Sequence, residues 1–334
     1  MLQIVNQSPY QPLMTVVPNE AGVETLFIVV KGTFPLSGTL IRAPEPVPPS
    51  AEDVYWKEPG SSSLKYASEL HVGKTGTDVV LVGHAHAPKG RPVAEMLVAV
   101  SVAERRKIVR ILGDRVWGTF TGAPSRPEPF TMMPLLYERA FGGVHEPADG
   151  RGKILAEERN PVGVGFRGRR APREVVGHKL PNLEDPGAPI KSFGDQPTPA
   201  GFGFTAPAWL PRRMYAGTYD EAWKTNRAPY FPRDFHRQFN NAASPELTFE
   251  RFLSGGETLD INGASPDGPL RVKLPTSGPR VTVTIAGKRE TPTAVLETVL
   301  IEPDAHRFCV TWRATVPCDK KALKVQSITI DGGS

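Results

Sequence analysis

Met96-Leu97-Val98-Ala99-Val100-Ser101-Val102 carries its larger apolar residues, Met96, Val98, Val100 and Val102, on alternate positions. Side chains of an extended chain point to opposite faces with a period of two, so this stretch reads as a strand with one buried face. The polar, hairpin-length connection Ala103-Glu104-Arg105-Arg106 follows, and 107–112 reads as the returning strand. Towards the N-terminus, 26–34 is a β-branched and aromatic run bounded by Gly22 and Pro35, and 78–83 is another, entered from Gly76. Towards the C-terminus, Val281, Val283 and Ile285 alternate with Thr282, Thr284 and Ala286. Segments 295–301 and 307–316 flank the turn-like Glu302-Pro303-Asp304-Ala305-His306, and 324–330 reads as a further strand. Both ends are therefore β, and the expected fold is mainly β with short helices (α+β). Its antiparallel, sandwich-like core would be built from the N- and C-terminal regions.

The middle, 121–279, holds more than half of the 35 prolines. Aromatics such as Phe130, Phe141, Phe202, Trp209 and Phe235 recur through it, and burying them offsets the entropy of ordering the chain. An ordered, irregular Pro/Gly-rich region covering the sheets is expected. Short helices are expected over 219–227 and 234–241. A third would start at Ser244-Pro245-Glu246 and stop at Gly255.

A chain of 334 residues can bury one large core or two medium ones. Forty Lys and Arg face thirty-five Asp and Glu, a net charge of +5, so most positive charge is balanced. The densest basic stretch, Arg167, Arg169, Arg170 and Arg173, has only Phe166 beside it, whereas a nucleic-acid groove interleaves aromatics for stacking. No nucleic-acid partner is expected. The longest apolar stretch, 26–30, is too short to span a bilayer, and no membrane association is expected. Residues 1–10 lack a basic segment followed by an apolar one, so the expected compartment is the cytoplasm. Cys309 and Cys318 are then expected to be reduced and unpaired.

Few residues form a chemical motif. Gly73-Lys74-Thr75 lacks the first glycine of a phosphate loop, since Ser68 stands there, and it leads into a strand rather than a helix. His84 and His86 share one strand face, but a zinc site needs a third ligand from His71, Glu69 or Asp78. No hydrolase elbow or metalloprotease helix is present. Glu138 with Asp220, or Asp220 with Asp234, beside Tyr137, Trp209 and Trp223, would suit a carbohydrate-active enzyme or a carbohydrate-binding sandwich. No cofactor is expected.

Longer phrases are more specific. They include Tyr137-Glu138-Arg139-Ala140-Phe141-Gly142-Gly143, Asn160-Pro161-Val162-Gly163, Leu180-Pro181-Asn182-Leu183-Glu184 and Pro199-Ala200-Gly201-Phe202-Gly203. Trp209-Leu210-Pro211-Arg212 and Tyr219-Asp220 with Trp223 continue them. In this order and spacing they resemble the domain-of-unknown-function family 2169, DUF2169, over 1–279. Residues 280–334 are expected as a β-rich extension packed on the same core. Members of that family accompany bacterial type VI secretion systems as adaptors or chaperones that load effectors onto the spike. The resemblance thus implies a non-catalytic protein that binds a secreted effector or a spike-tip protein. The family supplies no catalytic residues, so the quoted positions are expected to be structural or partner-binding. Most of Tyr137, Phe141, Trp209, Tyr219 and Trp223 are expected in the core, and Arg212 is expected to pair with Asp220.

Overall fold

A computed structural model describes residues 3–36, 45–118, 122–147, 150, 152–319 and 322–332. The expected boundary at 120–121 lies outside them. The β-branched run becomes the centre of a strand, β3 (Glu24–Pro35), preceded by β1 (Gln3–Asn6) and β2 (Gln11–Pro18). Next come β4 (Asp78–Leu81), β5 (His84–His86), β6 (Glu95–Val102) and β7 (Arg105–Leu112). The middle region contributes β8 (Leu183–Glu184), β9 (Thr258–Asn262) and β10 (Leu270–Lys273). Five more follow: β11 (Arg280–Ile285), β12 (Lys288–Glu290), β13 (Val295–Glu302), β14 (Arg307–Pro317) and β15 (Val325–Asp331).

Apart from β5, which pairs antiparallel with Met132–Pro134, these strands form two five-stranded sheets, β2-β3-β14-β13-β4 and β8-β7-β6-β9-β10, and one four-stranded sheet, β1-β15-β11-β12. The ends of the chain do meet: β3 pairs antiparallel with β14 from Thr25↔Pro317 to Pro35↔Arg307, and β1 lies parallel to β15. One hydrophobic cluster takes in Leu26, Val79, Val98, Leu259, Val281 and Ile328, residues of all three sheets. Each such side chain contributes about 1.5–3 kcal/mol when fully buried. The alternation in β6 holds, with Val98, Val100 and Val102 buried against Val109 and Ile111 of β7. No helix among the described residues is long and apolar enough to cross a membrane.

Three local expectations are corrected. The β6–β7 turn is two residues, Ala103 and Glu104, because Arg105 and Arg106 pair with Val102 and Ser101 and extend the ladder. The helix begun at Ser244 lasts one 3₁₀ turn, Pro245–Leu247. It ends there because the sheet edge captures the chain, with Asp78 bridging Thr248 and the Phe249 N–H donating to Thr77 O. Likewise 234–241 yields only a 3₁₀ turn, Arg237–Asn240. The described α-helices are α1 (Pro172–Val175) and α2 (Glu221–Asn226), the second falling within the expected 219–227.

Candidate functional site

Period two also sorts the residues of β3 by face. Leu26, Ile28, Val30 and Phe34 join the apolar core, while Thr25, Lys31 and Thr33 are buried on the opposite face. The register aligns Lys31 with Thr311, Thr311 with Thr298 and Thr298 with Asp78, so one buried polar row crosses four strands. Directly paired residues point to the same side of a sheet, which is why these groups converge. The register shift between Leu296 and Thr298 is a bulge, and it aims Glu297 onto this face beside Arg313.

Segment 69–77 covers the row and neutralises it. Lys31 Nζ donates to Glu69 Oε2 at 3.0 Å, Lys74 Nζ to Asp78 Oδ2 at 2.6 Å and Arg313 Nε to Glu297 Oε2 at 2.7 Å. Lys74 Nζ also reaches Thr298 Oγ1, and the Lys74 N–H donates to Glu297 Oε1. Lys74 is thus the keystone of a charged interior rather than part of a phosphate loop. His71 lies among these groups. Burial first, then the charges of Arg313, Lys74 and Arg212, hold its pKa well below 6.5, so the imidazole is neutral.

From the other side the middle region supplies Asn241, whose amide donates to Asp78 Oδ1 at 3.0 Å, and the Ala242 N–H, which donates to Asp78 Oδ2 at 2.7 Å. Above them opens a cavity of about 470 Å³. Thr75, Asn241 and Thr248 line it beside Arg212, with Arg105 and His236 also on its walls. Arg212 is only 7% exposed. Its Nε donates to Phe239 O at 2.9 Å and one terminal nitrogen to Thr205 O at 2.5 Å. Burial lowers its pKa, against the longer-range fields of Asp53 and Asp78. The cavity therefore offers cationic and hydrogen-bonding groups on a rigid sheet, chemistry suited to holding an anion.

The expected pairing of Arg212 with Asp220 is not formed. Asp220 instead caps α2, accepting from the Trp223 N–H at 2.7 Å. Tyr219 is 56% exposed and packs edge-on against a half-buried Trp223, so these two stand on the surface rather than in the core. A helix of six residues has too little apolar face to draw both rings inward.

Tyr137, Phe141 and Trp209 are buried, Tyr137 meeting Trp209 edge-on at 5.6 Å. Gly201 lies so close to the Tyr137 ring that a Cβ there would fall 2.7 Å from it. Asn160, fully buried, donates to Tyr137 O at 2.7 Å and Phe141 O at 3.0 Å, tying Gly142, Gly143 and Gly163 together. Pro161, half-buried, follows Asn160 in the turn that leads to Gly163. Asn182 donates to Leu112 O and Asp114 Oδ1 and accepts from Arg139, joining the knot to β7. The phrase residues thus divide into a scaffold and, in Arg212, a cavity wall.

The carboxylates considered for sugar chemistry are committed to local contacts. Glu138 accepts from the Ser63 N–H and hydroxyl, each at 2.7 Å, and Asp234 accepts from the Thr218 N–H and hydroxyl. His84 and His86 both contact Asp304, at 2.7 and 3.0 Å, rather than His71, Glu69 or Asp78. Among the described residues no group of three or more His, Cys, Asp or Glu side chains is placed to hold a metal ion. Cys309 and Cys318 are free and buried, and burial pushes both thiols up. Arg167 lies over the Phe193 ring at 4.7 Å, and with Arg170 it edges a smaller hollow beside Gly143 and Gly165.

Glu297, Arg313, Asn241 and Arg105 did not stand out in the sequence. The available signal was a charge inside an apolar strand, as Glu297 sits between Leu296 and Thr298 and Arg313 between Trp312 and Ala314. Residues 21–313 match a family model described as an uncharacterized protein conserved in bacteria (DUF2169). The match runs past 279 and takes in β13 and most of β14. No curated protein and no solved structure matches the chain.

Proposed function

The chain belongs to the DUF2169 family, and from that premise we propose that it is a non-catalytic adaptor. It binds a type VI secretion effector, or a spike-tip protein, in the cytoplasm and helps load the effector for export. The observation that carries this reading is the cavity walled by Arg212. It is built by loops of the irregular middle region standing on rigid sheet, the arrangement by which proteins present recognition surfaces. The carboxylates that a glycosidase would need are held by backbone and hydroxyl donors instead, which favours binding over sugar chemistry.

Co-expression with the effector encoded beside the gene, followed by affinity purification and size-exclusion chromatography, tests the proposal. A co-eluting complex is expected, with effector export lost when the gene is deleted. Separate elution together with undiminished export refutes it.

A further inference from the structure

A buried guanidinium is rarely left without an anion, because desolvation penalises the charge unless a carboxylate repays it. The buried cations of the polar face obey this rule: Lys31 has Glu69, Lys74 has Asp78 and Arg313 has Glu297. Elsewhere Arg115 has Glu184 and Lys107 has Glu246. Arg212 is the exception. At 7% exposure it has two carbonyl acceptors, Phe239 O and Thr205 O, and no carboxylate within 4 Å among the described residues.

Its second terminal nitrogen makes no hydrogen bond to a described residue, and the side chain lines the 470 Å³ cavity. The two acids whose longer-range fields reach Arg212 are committed elsewhere: Asp53 accepts from the Ser68 N–H, and Asp78 is consumed by Lys74, Asn241, the Ala242 N–H and Thr248. On the cavity walls Arg105 and His236 add further donors, and exposed Glu250 is the one carboxylate among the lining residues.

We infer that this cavity is a carboxylate-recognition site, in which Arg212 receives one carboxylate of the bound protein. The carrier's identity rests on the adaptor reading; the chemistry rests on Arg212. An acidic side chain and a free chain end offer the same group, and a planar guanidinium edge holds either through paired hydrogen bonds.

Three peptides serve as probes: one containing glutamate and blocked at both ends, a glycine peptide with a free C-terminal carboxylate, and the same glycine peptide amidated. Each is titrated into the full chain at constant ionic strength, with affinity measured by calorimetry in every protein and the Arg212 Nε–H resonance followed in the wild type. A saturable shift is expected with one or both acidic peptides and none with the amidated one, and the stronger binder identifies the source. Arg212→Lys keeps the charge but loses the paired geometry, and should bind about tenfold more weakly or worse. If that variant fails to fold, Arg105→Gln should weaken the same peptide about threefold, as expected for a less buried charge. No shift with either acidic peptide, or wild-type affinity in Arg212→Lys, overturns the inference.

The two readings fail separately. An effector captured equally well by wild type and Arg212→Lys keeps the adaptor and removes the carboxylate site. Acidic peptides that bind while no effector co-purifies keep the site and remove the adaptor.

Discussion

Replacing Glu297 by Leu should destabilise the fold far more than its one ion pair suggests, and removing Arg313 as well should restore part of the loss. Both side chains are nearly sealed from solvent, at 2% and 1% exposed, with Arg313 Nε 2.7 Å from Glu297 Oε2. Breaking one side of a buried pair costs about 3–5 kcal/mol, because the remaining charge stays desolvated. Glu297→Leu also strands the Lys74 N–H, which donates to Glu297 Oε1, so it belongs at the upper end of that range. Arg313→Met leaves Glu297 with the Lys74 N–H and should cost about 3 kcal/mol. In the double variant Glu297→Leu, Arg313→Met no net charge is stranded, and a coupling of about 2–3 kcal/mol is expected between the sites. Equilibrium urea unfolding of the four proteins, compared through midpoint and slope, measures it. Costs that add to within about 0.5 kcal/mol would show that the two charges are not compensating each other, and would refute the reasoning.

Acid should weaken the protein through His71. Its folded pKa is held well below 6.5, so the unfolded chain takes up a proton that the folded chain refuses. Its stabilising contribution is complete well above 6.5 and is lost as pH falls from there towards the folded value, by about 1 kcal/mol over the first pH unit below 6.5. Urea unfolding across that interval should be less steeply pH-dependent in His71→Gln, and equal slopes count against the assignment. At Gly163 an added Cβ would sit 2.4 Å from Asn160 Nδ2 and 2.7 Å from Ala140 O. Gly163→Ala should therefore cost about 2–3 kcal/mol by overpacking, while Gly187→Ala, which meets only Asp185 at 3.3 Å, should stay within about 0.5 kcal/mol. Matching thermal midpoints for the two variants would contradict the knot around Asn160.

The strands were legible where one local rule decides them. Met96, Val98, Val100 and Val102 declare their face by alternation, and Leu26 to Val30 declare a strand by branching and bulk. The polar face of β3 was hidden because its meaning lies in register: Lys31 is explained only by Thr311 and Glu69, far away in sequence. Glu297 was hidden for another reason, since its side is set by a bulge that shifts the parity of the strand. Ser244 and Pro245 do start a helical turn, but local propensity carries no trace of the sheet edge that takes Thr248 and Phe249. At the cavity, Arg212 was singled out by the phrase around it. Its isolation from carboxylates emerges only in three dimensions, where Asp220 turns out to serve its own helix.

The pairing of β3 with β14 sets a schedule as well as a shape. About 270 residues separate Pro35 from Arg307, and at about 5–20 residues per second the ribosome needs roughly 15–55 s to deliver the second strand after the first. Throughout that interval 26–30, five consecutive residues all buried in the finished protein, have β2 on one side and an open edge on the other. An open apolar edge is a template for any other strand it meets. Interrupted synthesis short of β14 would leave that edge permanently bare. Yield during overproduction should accordingly depend on translation speed and on chaperones that shield nascent chains, even where the completed protein is stable.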